Sequence, residues 1–211
     1  LQGGDIGAGV SVWAARLFPE AVAAIHLNYI PGSYQPPLTP DAPPVSQAEE
    51  VFRQTSADWY RAEGAYAHIH ATKPQTLAYA LTDSPIALAA WLIEKYQAWS
   101  DCGGDLERRF DLDHLLTTVC LYWFSGTPGA TVRIYKEGAL VPLTFSPGER
   151  IKPPLSVALF PRELPMPPRS WVERVFEVQR WTAMPAGGHF AAAEYPETLA
   201  EDIRAAMRRV R

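Results

Sequence analysis

Cysteine is scarce. The 211 residues carry two, Cys102 and Cys120, in neither a CxxC nor a metal-ligand spacing. That pattern argues against a disulfide framework and against a structural zinc site, and a reducing cytoplasm is the expected setting. An excess of positive charge is missing too: the formal net charge is -4. The one basic cluster, Arg204, Arg208, Arg209 and Arg211, suits the C-terminal end of a helix. Nucleic-acid footprints need a broader basic face, so no nucleic-acid partner is expected. No apolar run reaches the roughly 18 residues needed to cross a bilayer, so no membrane segment is expected in this chain. A signal-peptide pattern and internal repeats are likewise missing. What is present is a composition 47% hydrophobic and 20% charged, ordinary for a globular protein with a sizeable core.

Prolines punctuate the chain. Six of them fall between Pro31 and Pro44, which excludes a helix there and marks a linker. Before it lie Gly3-Gly4-Asp5-Ile6-Gly7, a helical stretch to about Leu17, and an apolar run from Ala21 to Ile30 that reads as a buried strand. After it the pattern turns helical. Ser46 with Glu49 forms a capping box ahead of Ala48 to Gly64. Pro74 to Leu81, Pro85 to Trp99 with Ser84 as N-cap, Asp113 to Phe124 and Pro128 to Lys136 follow. Pro142 to Pro154 reads as a second proline-rich connection. Then strands return at Ser156 to Phe160 and Gln179 to Met184, and Pro196 to Arg209 closes the chain as an amphipathic helix. The expected architecture is α/β, with core pieces over 1–44 and 151–211 and a helical cap over 45–150.

Three positions carry a chemical pattern. Gly3-Gly4-Asp5-Ile6-Gly7 has the form small–x–nucleophile–x–small between strand and helix. Small residues are needed because the turn is sharp, and the strained nucleophile stands clear of the sheet. The backbone N–H of Ile6 then points to where an oxyanion would form. Gly187-Gly188-His189-Phe190 places a histidine in a glycine loop after a late strand, suited to a general base. Glu163 follows the strand before it. The order 5, 163, 189 is nucleophile, acid, histidine, as in α/β-hydrolases. His68 and His70 have a metal-like spacing, but no third ligand accompanies them, so neither a metal nor a cofactor is expected.

These stretches, together with Tyr66-Ala67-His68-Ile69-His70-Ala71-Thr72-Lys73-Pro74, Asp83 to Trp91 and Arg133-Ile134-Tyr135-Lys136-Glu137, resemble the epoxide hydrolases of the microsomal type in the α/β-hydrolase superfamily. The resemblance covers nearly the whole chain, from the nucleophile elbow onward. It implies an α/β-hydrolase core with a cap whose two tyrosines, Tyr66 and Tyr135, face the nucleophile. It also implies Glu163 as the acid. Tyr79, Tyr96 and Tyr122 lie in the same middle segment outside those motifs.

The chemistry fits the residue types. Attack on a saturated carbon by serine would leave an ether, whereas a carboxylate leaves an ester that water can cleave. On this expectation Asp5 forms the ester, His189 activates water, Glu163 orients the imidazole, and phenols protonate the departing oxygen. The expected partners are a small apolar epoxide and water. The resemblance further implies earlier strands and a second oxyanion-hole loop upstream of Leu1. Without them the sheet edge would be exposed, which leaves a homodimer open. Two other readings share features of the chain: a haloalkane dehalogenase, whose halide leaves without a proton, and a non-catalytic fragment binding apolar ligands or a partner.

Overall fold

The computed structural model describes residues 1–31 and 34–208. Arg209 and Arg211 of the C-terminal basic cluster lie outside the described residues. Contacts divide the chain into two units: Leu1–Ala57 with Leu143–Arg211, and Asp58–Pro142.

The first unit is built on a parallel sheet in the order β1 (Gln2–Gly3), β2 (Ile25–Leu27), β3 (Ile151–Leu159), β4 (Phe176–Ala183). Parallel strands are covered on both faces, so they read as continuous apolar runs rather than alternations. All three residues of β2 and Leu155 to Ala158 of β3 are buried. Of the Ala21–Ile30 run, only Ile25–Leu27 pairs as strand. Helix α1 (Asp5–Leu17) buries Ala8, Ser11, Val12 and Ala15, a stripe at helical spacing laid on the sheet. Three further α-helices lie wholly in this unit: α9 (Arg169–Glu173), α10 (Ala191–Glu194) and α11 (Pro196–Met207).

β3 departs from the expectation. It begins at Ile151 and carries Pro153 and Pro154 inside the strand, where the sequence suggested a loop. Proline cannot donate a ladder bond. The strand accommodates the pair by register shifts against β4 between Ile151 and Leu155 and between Leu155 and Ser156.

The second unit is helical. Helix α2 (Gln47–Glu63) runs on through the division between the units. It is followed by α3 (Ala65–Thr72), α4 (Pro74–Asp83), α5 (Pro85–Trp99), α6 (Leu112–Ser125), α7 (Pro128–Thr131) and α8 (Ile134–Leu140). The Ser84 side chain caps α5 by accepting from the Ala87 amide, and Gly126 ends α6 in the left-handed conformation. Pro128 to Lys136 is two helices rather than one. Val132 still bonds Pro128 four residues back, but the Arg133 amide bonds Ala130 three back, which interrupts the α-ladder between the two helices. Tyr66 lies inside α3. The core of this unit gathers Ala78, Leu81, Leu88, Val119 and Val132. Among the described residues no single helix is long and apolar enough to cross a membrane.

The units divide at 57 and 143 where the sequence suggested 45 and 150, and the packing explains the offset. The first turns of α2 are anchored in the sheet unit through Glu49, which is 2% exposed, and through Phe52 against Trp171. Leu143 and Phe145 join the same core. Glu49 completes the capping box with Ser46 and also takes Arg174 in two hydrogen bonds of 3.1 and 2.9 Å and Ser170 in one of 3.1 Å. The Arg174 hydrogen bond, with help from Ser46 and Ser170, pushes the Glu49 carboxyl down to about 2.

Replacing Arg174 by methionine strands that buried carboxylate. The sheet unit should lose about 3–5 kcal/mol in denaturant unfolding at neutral pH. Because the folded pKa lies below the unfolded one, the parent pair contributes above the ordinary glutamate pKa. Its contribution fades as the pH falls from about 4.5 toward about 2. The variant's deficit should shrink across that window, and a pH-independent deficit would mean the arginine matters only through packing.

A second buried network was not foreseen. His26 on β2 is fully buried, and its Nε2 lies 3.0 Å from Asp202 Oδ2 on α11. Asp202 also takes the Arg180 guanidinium from β4. Burial outweighs the Asp202 interaction and holds the imidazole pKa below its ordinary value. The neutral ring therefore donates Nε2–H to Asp202, and that hydrogen bond together with Arg180 outweighs burial and holds the carboxyl pKa below its ordinary value.

Candidate active site

Asp5 stands at the β1–α1 junction with φ at 45°, the sole positive φ outside glycine among the described residues. A non-glycine residue pays for that conformation, and the surrounding contacts hold it there. A Cβ on Gly3 would lie 2.2 Å from the Gly7 carbonyl oxygen, and one on Gly4 would strike the Asn28 side chain at 2.7 Å. The turn thus closes only with glycine at both positions. Gly7 differs from the expectation: a Cβ there meets nothing within 4 Å, so its part in the turn is the bare backbone that Gly3 approaches. Asn28 is itself held by Gln2, whose Nε2 donates to its Oδ1 at 2.8 Å.

The Asp5 side chain is 54% exposed and sits at the N-terminus of α1, where the helix dipole favours negative charge. Ile6 falls in the first turn of α1, where amides have no intrahelical acceptor. Its N–H belongs to the set that such a site offers to an anion.

His189 is brought to both carboxylates. Nδ1 lies 2.6 Å from Glu163 Oε1, and Nε2 lies 3.9 Å from Asp5 Oδ1. The short contact fixes the tautomer: Nδ1 carries the proton toward Glu163, and Nε2 is left toward Asp5. The longer distance exceeds a hydrogen bond, so the resting imidazole does not tie up the Asp5 oxygen. The Glu163 side chain is almost fully buried, and its Oε1 also accepts from the Leu164 amide at 2.8 Å. Burial alone would lower the imidazole pKa. The Glu163 hydrogen bond and charge, with Asp5 and Glu194 adding, outweigh it and leave the pKa raised.

Several supporting residues were not singled out in the sequence. Glu194 is buried and accepts from the Gly188 amide at 3.2 Å and the Phe190 amide at 3.0 Å, so it grips the loop on either side of His189. Its position one helical turn after Phe190 was the available signal. Gly187 adopts φ of 115°, and a Cβ there would meet Phe160 at 2.6 Å. Its carbonyl accepts from the Arg162 amide at 3.0 Å, next to Glu163. The acid loop and the histidine loop are thereby joined backbone to backbone. Tyr29, after β2, packs its ring against His189 at 5.4 Å and 88°.

Tyr66 and Tyr135 belong to the helical unit, on α3 and α8. Their rings are neighbours, 5.7 Å apart and nearly perpendicular. His70, one turn beyond Tyr66 on α3, lies 5.6 Å from the Tyr66 ring and 4.7 Å from the Tyr135 ring. Lys95 Nζ stands 5.1 Å over the face of Tyr66 and bonds Glu63. Among the described residues, no ring contact links His68, two residues from His70 on α3, to this cluster.

No family model matches the chain. A protein of Stigmatella aurantiaca is 38% identical over 214 residues, which take in all of this chain and 47% of the relative. Epoxide hydrolase 1 of Sus scrofa is 36% identical over 228 residues, covering 98% of this chain and 50% of the relative. Among solved structures, the epoxide hydrolase of Aspergillus niger superposes with a TM-score of 0.81 at 31% identity, over all of this chain and 52% of that one. The juvenile hormone epoxide hydrolase of Bombyx mori gives 0.80 at 26% identity, over 99% of this chain and 54% of that one. The architecture is that of the α/β-hydrolases. The chain spans about half the length of the relatives it matches.

Proposed function

Starting from a chain that is a homologue of the microsomal-type epoxide hydrolases over about half their length, we propose that it carries the site that hydrolyses epoxides to vicinal diols through an ester on Asp5. The observation that carries the reading is the residue at the strained turn. An aspartate, not a serine, holds the positive φ at the head of α1, beside an imidazole hydrogen-bonded to a buried glutamate.

In the first half-reaction an Asp5 oxygen attacks an epoxide carbon, and the ring C–O bond breaks. The released oxygen takes a proton from a phenol, a role we assign to Tyr66 and Tyr135. A phenol with an ordinary pKa of about 10 is still protonated at neutral pH and can donate. In the second half-reaction water attacks the ester carbonyl carbon. His189 Nε2 takes the water proton, and Glu163 stabilises the imidazolium through Nδ1. The tetrahedral oxyanion is met by the Ile6 N–H. Collapse frees the diol and the Asp5 carboxylate, and the imidazolium returns its proton to the phenolate through solvent.

The adjacency of two phenol rings favours an oxygen leaving group over a halide, which needs no proton. The substrate is taken to be a small apolar epoxide. A terminal aryl epoxide and a bromoalkane of similar size, offered side by side to the protein that carries this chain, separate the two chemistries. The epoxide should be turned over and the bromoalkane not. Bromide release without diol formation would assign the site to dehalogenation, and turnover of neither would support a binding role.

A further inference from the structure

His70 is the side chain of the helical unit that the proposed reaction leaves unused and that is hardest to explain as filler. It is 7% exposed, yet it is polar on two atoms. Trp91 Nε1–H donates to its Nε2 at 3.1 Å. Indole can only donate, so Nε2 must be the bare nitrogen and the proton of the neutral ring sits on Nδ1. Nδ1 is buried and has no hydrogen-bond partner among the described residues. An unmatched buried donor costs about 1–3 kcal/mol, which a leucine in the same space would avoid. Burial also pushes the ring pKa below its ordinary value, so it stays neutral at physiological pH.

The polar ring is therefore kept for its geometry. It is clamped by Trp91 on one side and lies edge-on to both Tyr66 and Tyr135, at interplanar angles of 88° and 73°. Perpendicular aromatic contacts of this kind prefer a fixed mutual orientation, and a clamped third ring transmits that preference to two others. We propose that His70, with its tautomer set by Trp91, is a positioning residue that holds the Tyr66 and Tyr135 phenols in the arrangement in which both serve one oxygen. The inference rests on the reading that these phenols donate the proton.

The test uses the protein that carries this chain and three variants, His70→Leu, His70→Gln and Trp91→Phe. Glutamine can still accept from Trp91, whereas leucine cannot. Nitrogen NMR of the parent should show His70 neutral with the proton on Nδ1, and Trp91→Phe should release that tautomer preference. Ring-to-ring nuclear Overhauser contacts between Tyr66 and Tyr135 should weaken in His70→Leu and persist in His70→Gln. The rate of Asp5 alkylation should fall on the order of 10- to 100-fold in the leucine variant, as expected for a misplaced donor, with hydrolysis of the ester unchanged. The glutamine variant should recover most of it.

The proposal is overturned by a folded His70→Leu protein with parent ring contacts and parent alkylation, by a proton found on Nε2, or by equal losses in the leucine and glutamine variants. If His70→Leu does not fold, Trp91→Phe supplies the same two readouts. Parent-rate alkylation in a Tyr66→Phe, Tyr135→Phe variant would instead remove the phenol reading. The ring contacts would then still decide whether His70 orders the pair.

Discussion

Replacing Tyr66 and Tyr135 together by phenylalanine should slow the alkylation of Asp5 on the order of 10³-fold or more, while either single replacement leaves measurable alkylation. Opening the ring develops an alkoxide, and a positioned general acid is worth on the order of 10²–10⁴ in rate. The two rings lie 5.7 Å apart, so one remaining phenol keeps part of that contribution. Removing both leaves Lys95 as the cation packed on this ring cluster, and it is engaged with Glu63 and stacked on the ring faces. The loss belongs to the first half-reaction alone, because ester hydrolysis consumes no phenol proton. Rapid-quench measurement separates the steps. A double variant that alkylates at the parent rate would make the tyrosines packing residues and would remove the main distinction from dehalogenation.

His189→Gln should have the opposite signature: Asp5 is still alkylated, the ester accumulates, and turnover falls on the order of 10²–10⁴. The imidazole is not within hydrogen-bond distance of Asp5, so alkylation does not depend on it. Its part begins with water. In the resting site its pKa is raised, because Glu163 and the Asp5 and Glu194 charges outweigh burial. Esterification removes the Asp5 charge, one of the contributions that hold the pKa up. The imidazole pKa then falls, which favours the neutral ring at the step that needs a base. The acid limb of ester hydrolysis should accordingly lie at lower pH than the His189 titration of the resting protein. Mass spectrometry of the variant after mixing with epoxide should find the adduct on the peptide carrying Asp5. A folded variant that shows neither adduct nor turnover would argue against covalent catalysis.

Much of this was legible in the sequence, and the reasons are local. Ser46 with Glu49, and Ser84 followed by Pro85, announce helix starts because capping depends on residues three positions apart. Gly3-Gly4-Asp5 announces the turn because only glycine fits against Gly7 and Asn28. The order of Asp5, Glu163 and His189 was readable because each follows the end of a sheet strand, β1, β3 and β4 in turn.

What was not legible depends on partners distant in sequence. Glu49 bonds Arg174, and His26 bonds Asp202, across separations that no spacing rule reaches. The prolines of β3 mimic a loop until the register shifts against β4 are seen. The break between α7 and α8 lies in a change from four-residue to three-residue bonding that leaves no compositional mark. His70 looked like half of a metal pair with His68, and its contacts with Tyr66, Tyr135 and Trp91 need three helices to be in place.

The claim that Asp5 forms an ester is tested most directly by a single turnover in heavy-oxygen water, with epoxide limiting over the protein that carries this chain. Attack of water on the ester carbonyl puts the solvent oxygen into the Asp5 carboxylate, and the diol leaves with an oxygen that the aspartate held before. Label is expected on the Asp5 peptide, and the first-turnover diol should be unlabelled. A labelled diol with an unlabelled peptide would mean that water attacks the epoxide itself, and Asp5 would not be the nucleophile.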